Sequence, residues 1–487
     1  MRNATRVLHD RLPRSAMVLG IVISLFWAAG LSTALIADPT RYNDSGGYVV
    51  GSGGLDYGVL SLVGNSLRAW PTVAVFGLVD GDSSRTLVQS ILYLAAWSLL
   101  MWAFLARTTP VTAAITGSLV GLFALAPVVF EWNTIILSES VTISLTIAGI
   151  GMSRLALDSG RAAAYWMWSG LLALSLAAVN KLPLGAILVA VLIVHGLNAC
   201  GALDGEPTRG PKDIRRPVAI ISIVAAAILM LYPLVVNASI DRTWAREGSD
   251  GTSRNAVNYY FLTSADVDSP LSGPAAGFGS RAVASADRLH AALPDDAPAC
   301  LKASRATTAT LPQPFQRELA ATCPDGVAWV NANFIPWYAT FLLTHPDYVV
   351  NVLAYRMALS LTSDPHVELV SMIPPALAQL FSEAEIGGVL YLPLAIWFLV
   401  GLASCIAAIV RLARSARDAV GALLVAAFIG SLIAWCVTLL MMSAELQRIS
   451  VVAIAPLIAS SILLPQWLWS SSKHDSGVGG DERVAPS

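Results

Sequence analysis

A chain of 487 residues that is 55% hydrophobic and 13% charged, with a mean hydropathy of +0.65, is not a water-soluble globule, because soluble domains carry about a quarter of their residues as charges. It lies equally far from the low-hydropathy, high-charge balance of intrinsic disorder. A formal net charge of −2 gives no electrostatic case for a nucleic-acid partner, and five cysteines exclude a disulfide scaffold.

The expected fold class is therefore all-α: a polytopic integral membrane protein whose first partner is the lipid bilayer. Ten runs reach the roughly 20 apolar residues that a bilayer requires. They fall at about 16–37, 85–106, 111–130, 134–153, 162–179, 183–200, 217–238, 386–410, 418–442 and 449–468. The first is too long for a signal peptide and reads as a retained helix. The short loops that alternate with these runs divide their cations unevenly. Arg2, Arg6, Arg11 and Arg14 share one side with Arg107, Arg154, Arg161, Arg209, Lys212, Arg215, Arg216, Arg411, Arg414, Arg417, Lys473 and Arg483. The positive-inside rule makes that side cytoplasmic, with both termini inside a plasma (inner) membrane.

Two long segments are then outside. The first, 38–84, follows the first run and closes a seven-helix module, 1–240, on its outer side. The second, 241–385, is expected to be an extracytoplasmic domain, followed by C-terminal helices over 386–469 and a disordered tail, 470–487. Cys300 and Cys323 both fall in the second segment, where an oxidising exterior lets them pair; two free thiols are the alternative. Within it, 327–362 reads as amphipathic helices on the outer surface, since Asn331, Asn333, His345, Asp347, Asn351 and Arg356 interrupt its apolar text.

Charges beside the membrane runs carry the chemistry, because each costs about 2.5–3.5 kcal/mol at the bilayer centre. They gather at the outer ends: Glu131 and Glu139 around the fourth run, Asn180 and Lys181 after the fifth, Glu445 and Arg448 before the last. No acidic or basic residue occupies the middle of a run, which points to an outer, interfacial site rather than an ion-coupled pump. The first outer segment adds the carboxylates Asp38, Asp44 and Asp56, the cations Arg41 and Arg68, and a Trp70–Pro71 turn. A carboxylate there can serve as a general base and the cations can hold a phosphate, while a plain solvated turn is the competing reading. No Walker loop, dinucleotide fingerprint, H-E-x-x-H or G-x-S-x-G is present.

Taken in order, these features resemble the GT-C glycosyltransferases, polytopic enzymes that use polyprenyl-phosphate sugars, such as the protein O-mannosyltransferases and the bacterial aminoarabinose and arabinofuranosyl transferases. The resemblance is carried by Asp44 with Tyr48 after the first run, Arg68 with Trp70–Pro71, Ser138–Glu139 at the fourth run, Lys181 ahead of Pro183, and Glu445 with Arg448. It implies Asp44 as catalytic base, with Asp38 as the alternative, and Lys181, Arg448, Arg68 and Arg41 as ligands of the donor phosphate. Tyr48, Glu139, Glu445 and Trp70 become substrate-binding residues. The implied reaction moves a sugar, with inversion, from a polyprenyl-phosphate donor to a hydroxyl of an extracytoplasmic glycan, lipid or protein. No metal ligands are read from the sequence, whose first loop lacks the paired acids many members show; a divalent cation as cofactor stays open. A lipid-linked polysaccharide polymerase or ligase, and a flippase of lipid-linked sugars, are the rival readings. The first would lean on Arg and His of the large outer segment, the second on mid-membrane polar residues.

Overall fold

The structure is a computed structural model that describes residues 14–41, 48, 62, 68–158, 162–199, 202–203, 212–247, 259, 262–263, 276–303, 319, 321–362, 387–414, 418–441 and 446–477. The described residues form helices without a named strand. Seven helices come first: α1 (Arg14–Ile36), α2 (Trp70–Gly77), α3 (Asp82–Leu105), α4 (Pro110–Ala124), α5 (Ser138–Asp158), α6 (Ala163–Asn180) and α7 (Gly185–Ala199). The long α8 (Lys212–Glu247) leads to α9 (Ala276–Ala291), α10 (Pro324–Thr344) and α11 (Pro346–Thr362). The chain ends in α12 (Gly387–Arg414), α13 (Ala419–Met441) and α14 (Leu446–Gly477).

Nine helical stretches among the described residues are long and apolar enough to cross a membrane, one of them joining the turn Leu182–Leu184 to α7 as Leu182–Ala199, so the protein is a multi-pass, all-α membrane protein. Several turn apolar side chains outward, as lipid-facing helices do: Leu25 of α1, Ile228 of α8 and Leu399 of α12 are each more than half exposed. The most enclosed are α14 and α5, and α5 packs against α3, α6 and α14 at the centre of the bundle.

Two expectations need correction. The run 111–130 is not one full span. Its helix, α4, has 15 residues and rises only about 22 Å, against a hydrocarbon core of about 30 Å. Pro127 lacks the N–H that would continue the helix, and the chain breaks into single turns at Pro127–Phe130 and Glu131–Asn133. Helix α5 accordingly starts at Ser138, because a parallel bridge pairs Ile135 with Thr40: Thr40 N donates to Thr134 O at 2.9 Å and Ile136 N to Thr40 O at 3.1 Å. The second correction concerns the tail. Residues 470–477 are helical, continuing α14, with no Gly or Pro between Pro465 and that stretch to interrupt it.

The hairpin α5–α6 sets the geometry of everything that follows. Gly149 and Gly170 let the two backbones touch: a Cβ on Gly149 would lie 2.7 Å from Leu174 Cγ, and one on Gly170 2.9 Å from Gly149 O. Small residues permit such an approach between membrane helices, where packing rather than hydrophobic burial drives association. From that contact, the antiparallel register carries Glu139, ten residues back along α5, to the level of Asn180, ten residues on along α6.

The segment between α8 and α12 has a core of its own, built from Leu289, Leu301, Trp329, Phe334, Tyr338, Phe341 and Tyr348 among others. A Cys300–Cys323 disulfide, with Cα atoms 5.6 Å apart, ties the short helix Ala299–Ala303 to the start of α10. On the loop-entropy model a closure of this length is worth about 3 kcal/mol. Helices α10 and α11 occupy the stretch expected to be amphipathic, and α10 buries Trp329, Val330, Phe334, Tyr338 and Phe341 while its other face is exposed. They also dock on the end of α13. Arg356, 2% exposed, donates to Leu439 O at 2.6 Å, and Tyr338 Oη donates to Leu440 O at 2.6 Å. Those carbonyls lie near the C-terminal end of α13 as described, where a cation suits the negative end of the helix dipole.

Candidate functional site

Glu139 lies in the first turn of α5 and Lys181 directly after α6, so the hairpin register brings them together: Lys181 Nζ donates to Glu139 Oε1 at 3.1 Å. The carboxylate side chain is fully buried and the lysine 21% exposed. Each stands at the helix end whose dipole favours its charge. The chain turns at Lys181 into an extended residue and then the short turn Leu182–Leu184, which α13 packs along.

The first loop supplies the other wall. Helix α2 starts at Trp70 with Pro71 in its first turn, where a missing N–H is harmless, and it packs across α5 and α6. Trp70 Nε1 donates to Tyr232 Oη at 2.7 Å, and Tyr232 Oη donates to Leu62 O at 2.5 Å, which ties the loop to α8. Trp70 and Tyr232 pack on Val179, Val236 and Ile240. Tyr48, 8% exposed, donates to Ser138 Oγ at 3.3 Å, and the Arg68 guanidinium lies 5.2 Å from the centre of its ring, a cation–π geometry. Tyr48, Arg68, Trp70, Glu139 and Lys181 thus share one end of the α5–α6 hairpin.

Other expected residues are engaged elsewhere, exposed, or outside the description. Arg41 donates from Nη2 to Asp82 Oδ1 at 2.7 Å and bonds Oδ2 through Nε, so this fork is occupied by a carboxylate. Asp38 is exposed. Asp44 and Glu445 lie outside the described residues; Arg448 is in the first turn of α14, its side chain outside the description.

The fold also relies on uncharged polar residues inside apolar helices and on the buried Glu131. Gln89 of α3, wholly buried, donates to Asn133 O at 2.5 Å and Ile135 O at 2.9 Å, clamping the break before α5. A lone amide inside an apolar run was the available signal. Tyr232 and Asn237 mark the corresponding end of α8, where Asn237 Nδ2 donates to Val179 O at 3.2 Å. Glu131, 7% exposed in the same break, has its carboxyl pushed up from 4.5 to about 7 by burial.

Chemically, the arrangement offers two cations, an indole, a phenol and a buried carboxylate at the end of a membrane helix pair. Comparison of the chain with protein-family models, curated proteins and solved structures finds no match.

Proposed function

We propose that the chain is a GT-C-type glycosyltransferase of the inner membrane, with both termini cytoplasmic and the Lys181 end of the α5–α6 hairpin facing outside. One observation carries this reading: residues singled out from three separate stretches of sequence, Tyr48, Arg68 and Trp70, then Glu139, then Lys181, meet at one place. The disulfide at Cys300–Cys323 supports the orientation, because disulfides persist in oxidising compartments.

A nucleotide sugar does not reach such a site from the cytoplasm, whereas a polyprenyl-phosphate sugar reaches it laterally, with its prenyl tail between helices. The hydroxyl of an extracytoplasmic glycan, lipid or protein attacks the anomeric carbon, and the Asp44 carboxylate takes its proton. The bond from that carbon to the phosphate oxygen breaks, and its electron pair leaves on the polyprenyl phosphate. Lys181 and Arg68, with Arg448 a further candidate, stabilise the charge that develops there. A single displacement inverts the anomeric centre. Glu139 holds the Lys181 ammonium in place through their ion pair, Trp70 offers a flat surface to the sugar, and Tyr48 backs the Arg68 guanidinium beside it; Glu445 is a further substrate-binding candidate.

The test is transfer from labelled polyprenyl-phosphate mannose, glucose and arabinofuranose by the full chain in proteoliposomes supplied with a cell-envelope extract of glycans, lipids and proteins as acceptor. Release of polyprenyl phosphate is expected with one donor, and Asp44→Asn should lower it about 10²–10⁴-fold at unchanged protein level. Full activity in Asp44→Asn would move the base to Asp38, and no release from any donor would remove the transferase reading.

A further inference from the structure

Between the Trp70–Val179 cluster and the Lys181–Glu139 pair stands Asn180, the last residue of α6. It is 7% exposed, and neither its amide nitrogen nor its amide oxygen has a hydrogen-bond partner among the described residues. Buried side-chain amides are nearly always bonded, because an unmade bond forfeits the water that the group gave up. A second buried group shares this condition nearby. Thr72 of α2, the helix that packs across α5 and α6, is fully buried with its hydroxyl unmatched.

We infer that the Asn180 amide binds the glycosyl-phosphate headgroup of the donor, reading a phosphate oxygen and the neighbouring sugar hydroxyl together. This rests on the transferase reading above and names the residue that distinguishes donor from product. An amide offers N–H donors and a carbonyl acceptor side by side. A phosphate only accepts, so by itself it matches half of the amide. A glycosyl phosphate also places the hydroxyl of the adjacent ring carbon beside that phosphate, and this hydroxyl donates to Oδ1. Lys181, the next residue, supplies charge without discrimination; Asn180 supplies the preference for the loaded lipid over the spent one.

The experiment measures binding rather than turnover. The full chain in nanodiscs is titrated with polyprenyl-phosphate mannose, glucose and arabinofuranose, and with polyprenyl phosphate, for wild type, Asn180→Leu and Asn180→Asp. Asn180→Leu keeps the shape and removes both bonding groups. It should weaken the glycosylated lipid about 30-fold and polyprenyl phosphate only about 5-fold, two hydrogen bonds against one. Asn180→Asp sets a negative charge against the phosphate and should weaken both lipids more than the leucine does. Without lipid, the melting temperature of Asn180→Leu should be unchanged or raised, because an unmatched amide has been taken out of the interior. Wild-type affinity in Asn180→Leu, equal losses for the two kinds of lipid, or a lowered melting temperature would each overturn the inference while leaving the transferase reading intact. A wild type that binds neither kind of lipid overturns both.

Discussion

The two ends of the α5–α6 hairpin each carry an ionic cluster, and they are built on opposite principles. At the Asp158 end, Arg107 and Arg154 approach one carboxylate at 2.9 and 2.7 Å, with Arg107 75% and Asp158 27% exposed. At the Lys181 end, Lys181 meets a carboxylate that has no exposure at all. Water screens the Arg107 arm of the first cluster, so that arm adds little stability, while Arg154, 12% exposed, makes the more enclosed bond to a carboxylate that still reaches water. The second has been taken out of water, which is expensive unless the pair and its surroundings answer for the lost hydration. Hydrophobic residues would hold two helices together there as well, so a buried pair flanked by an unmatched amide points to binding rather than to architecture.

The contrast can be broken most severely at Lys181. Lys181→Ala takes the lysine charge away from the buried Glu139 carboxylate, and thermal or denaturant unfolding in detergent should show a loss of about 3–5 kcal/mol. Adding Glu139→Gln to that variant should recover most of the stability, yet leave donor binding impaired. If the double variant bound the donor like wild type, the pair would be structural only.

Next in size is the break before α5. Burial raises the Glu131 carboxyl from 4.5 to about 7, so between those values the folded chain holds a proton that the unfolded chain has lost. Stability must then fall as pH rises from about 4.5 to 7 and level off above, by up to roughly 3 kcal/mol at 1.36 kcal/mol per unit. Unfolding followed across that range should show this slope in wild type and a flatter one in Glu131→Gln. The smallest effect belongs to the Asp158 end: Arg107→Ala should cost under about 1 kcal/mol and leave donor binding unchanged.

Hydropathy alone carried most of the helical bundle, because a span announces itself by length and composition within one stretch of chain. The same averaging hid the break at Pro127, whose neighbours are apolar enough to fill a window across it. Glu139 and Lys181 were legible as interfacial charges, but their pairing depends on the Gly149–Gly170 contact, a register that no single helix contains. Gln89 and Tyr232 were harder still. Their roles come from what lies opposite, Asn133 and Ile135 for one and Trp70 for the other, and a polar residue in an apolar run does not name its partner. Arg41 shows the converse: a cation that sequence offered to a phosphate is engaged by Asp82, forty-one residues away.

The most direct test of the account is photocrosslinking with a polyprenyl-phosphate probe that carries its reactive group beside the phosphate, mapped by mass spectrometry on the full chain in nanodiscs. The account predicts adducts at the Lys181 end, on residues 68–72, 138–139 and 180–184, competed away by polyprenyl-phosphate sugar. Adducts confined to the Asp158 end, around Arg107, Arg154 and Asp158, would contradict it.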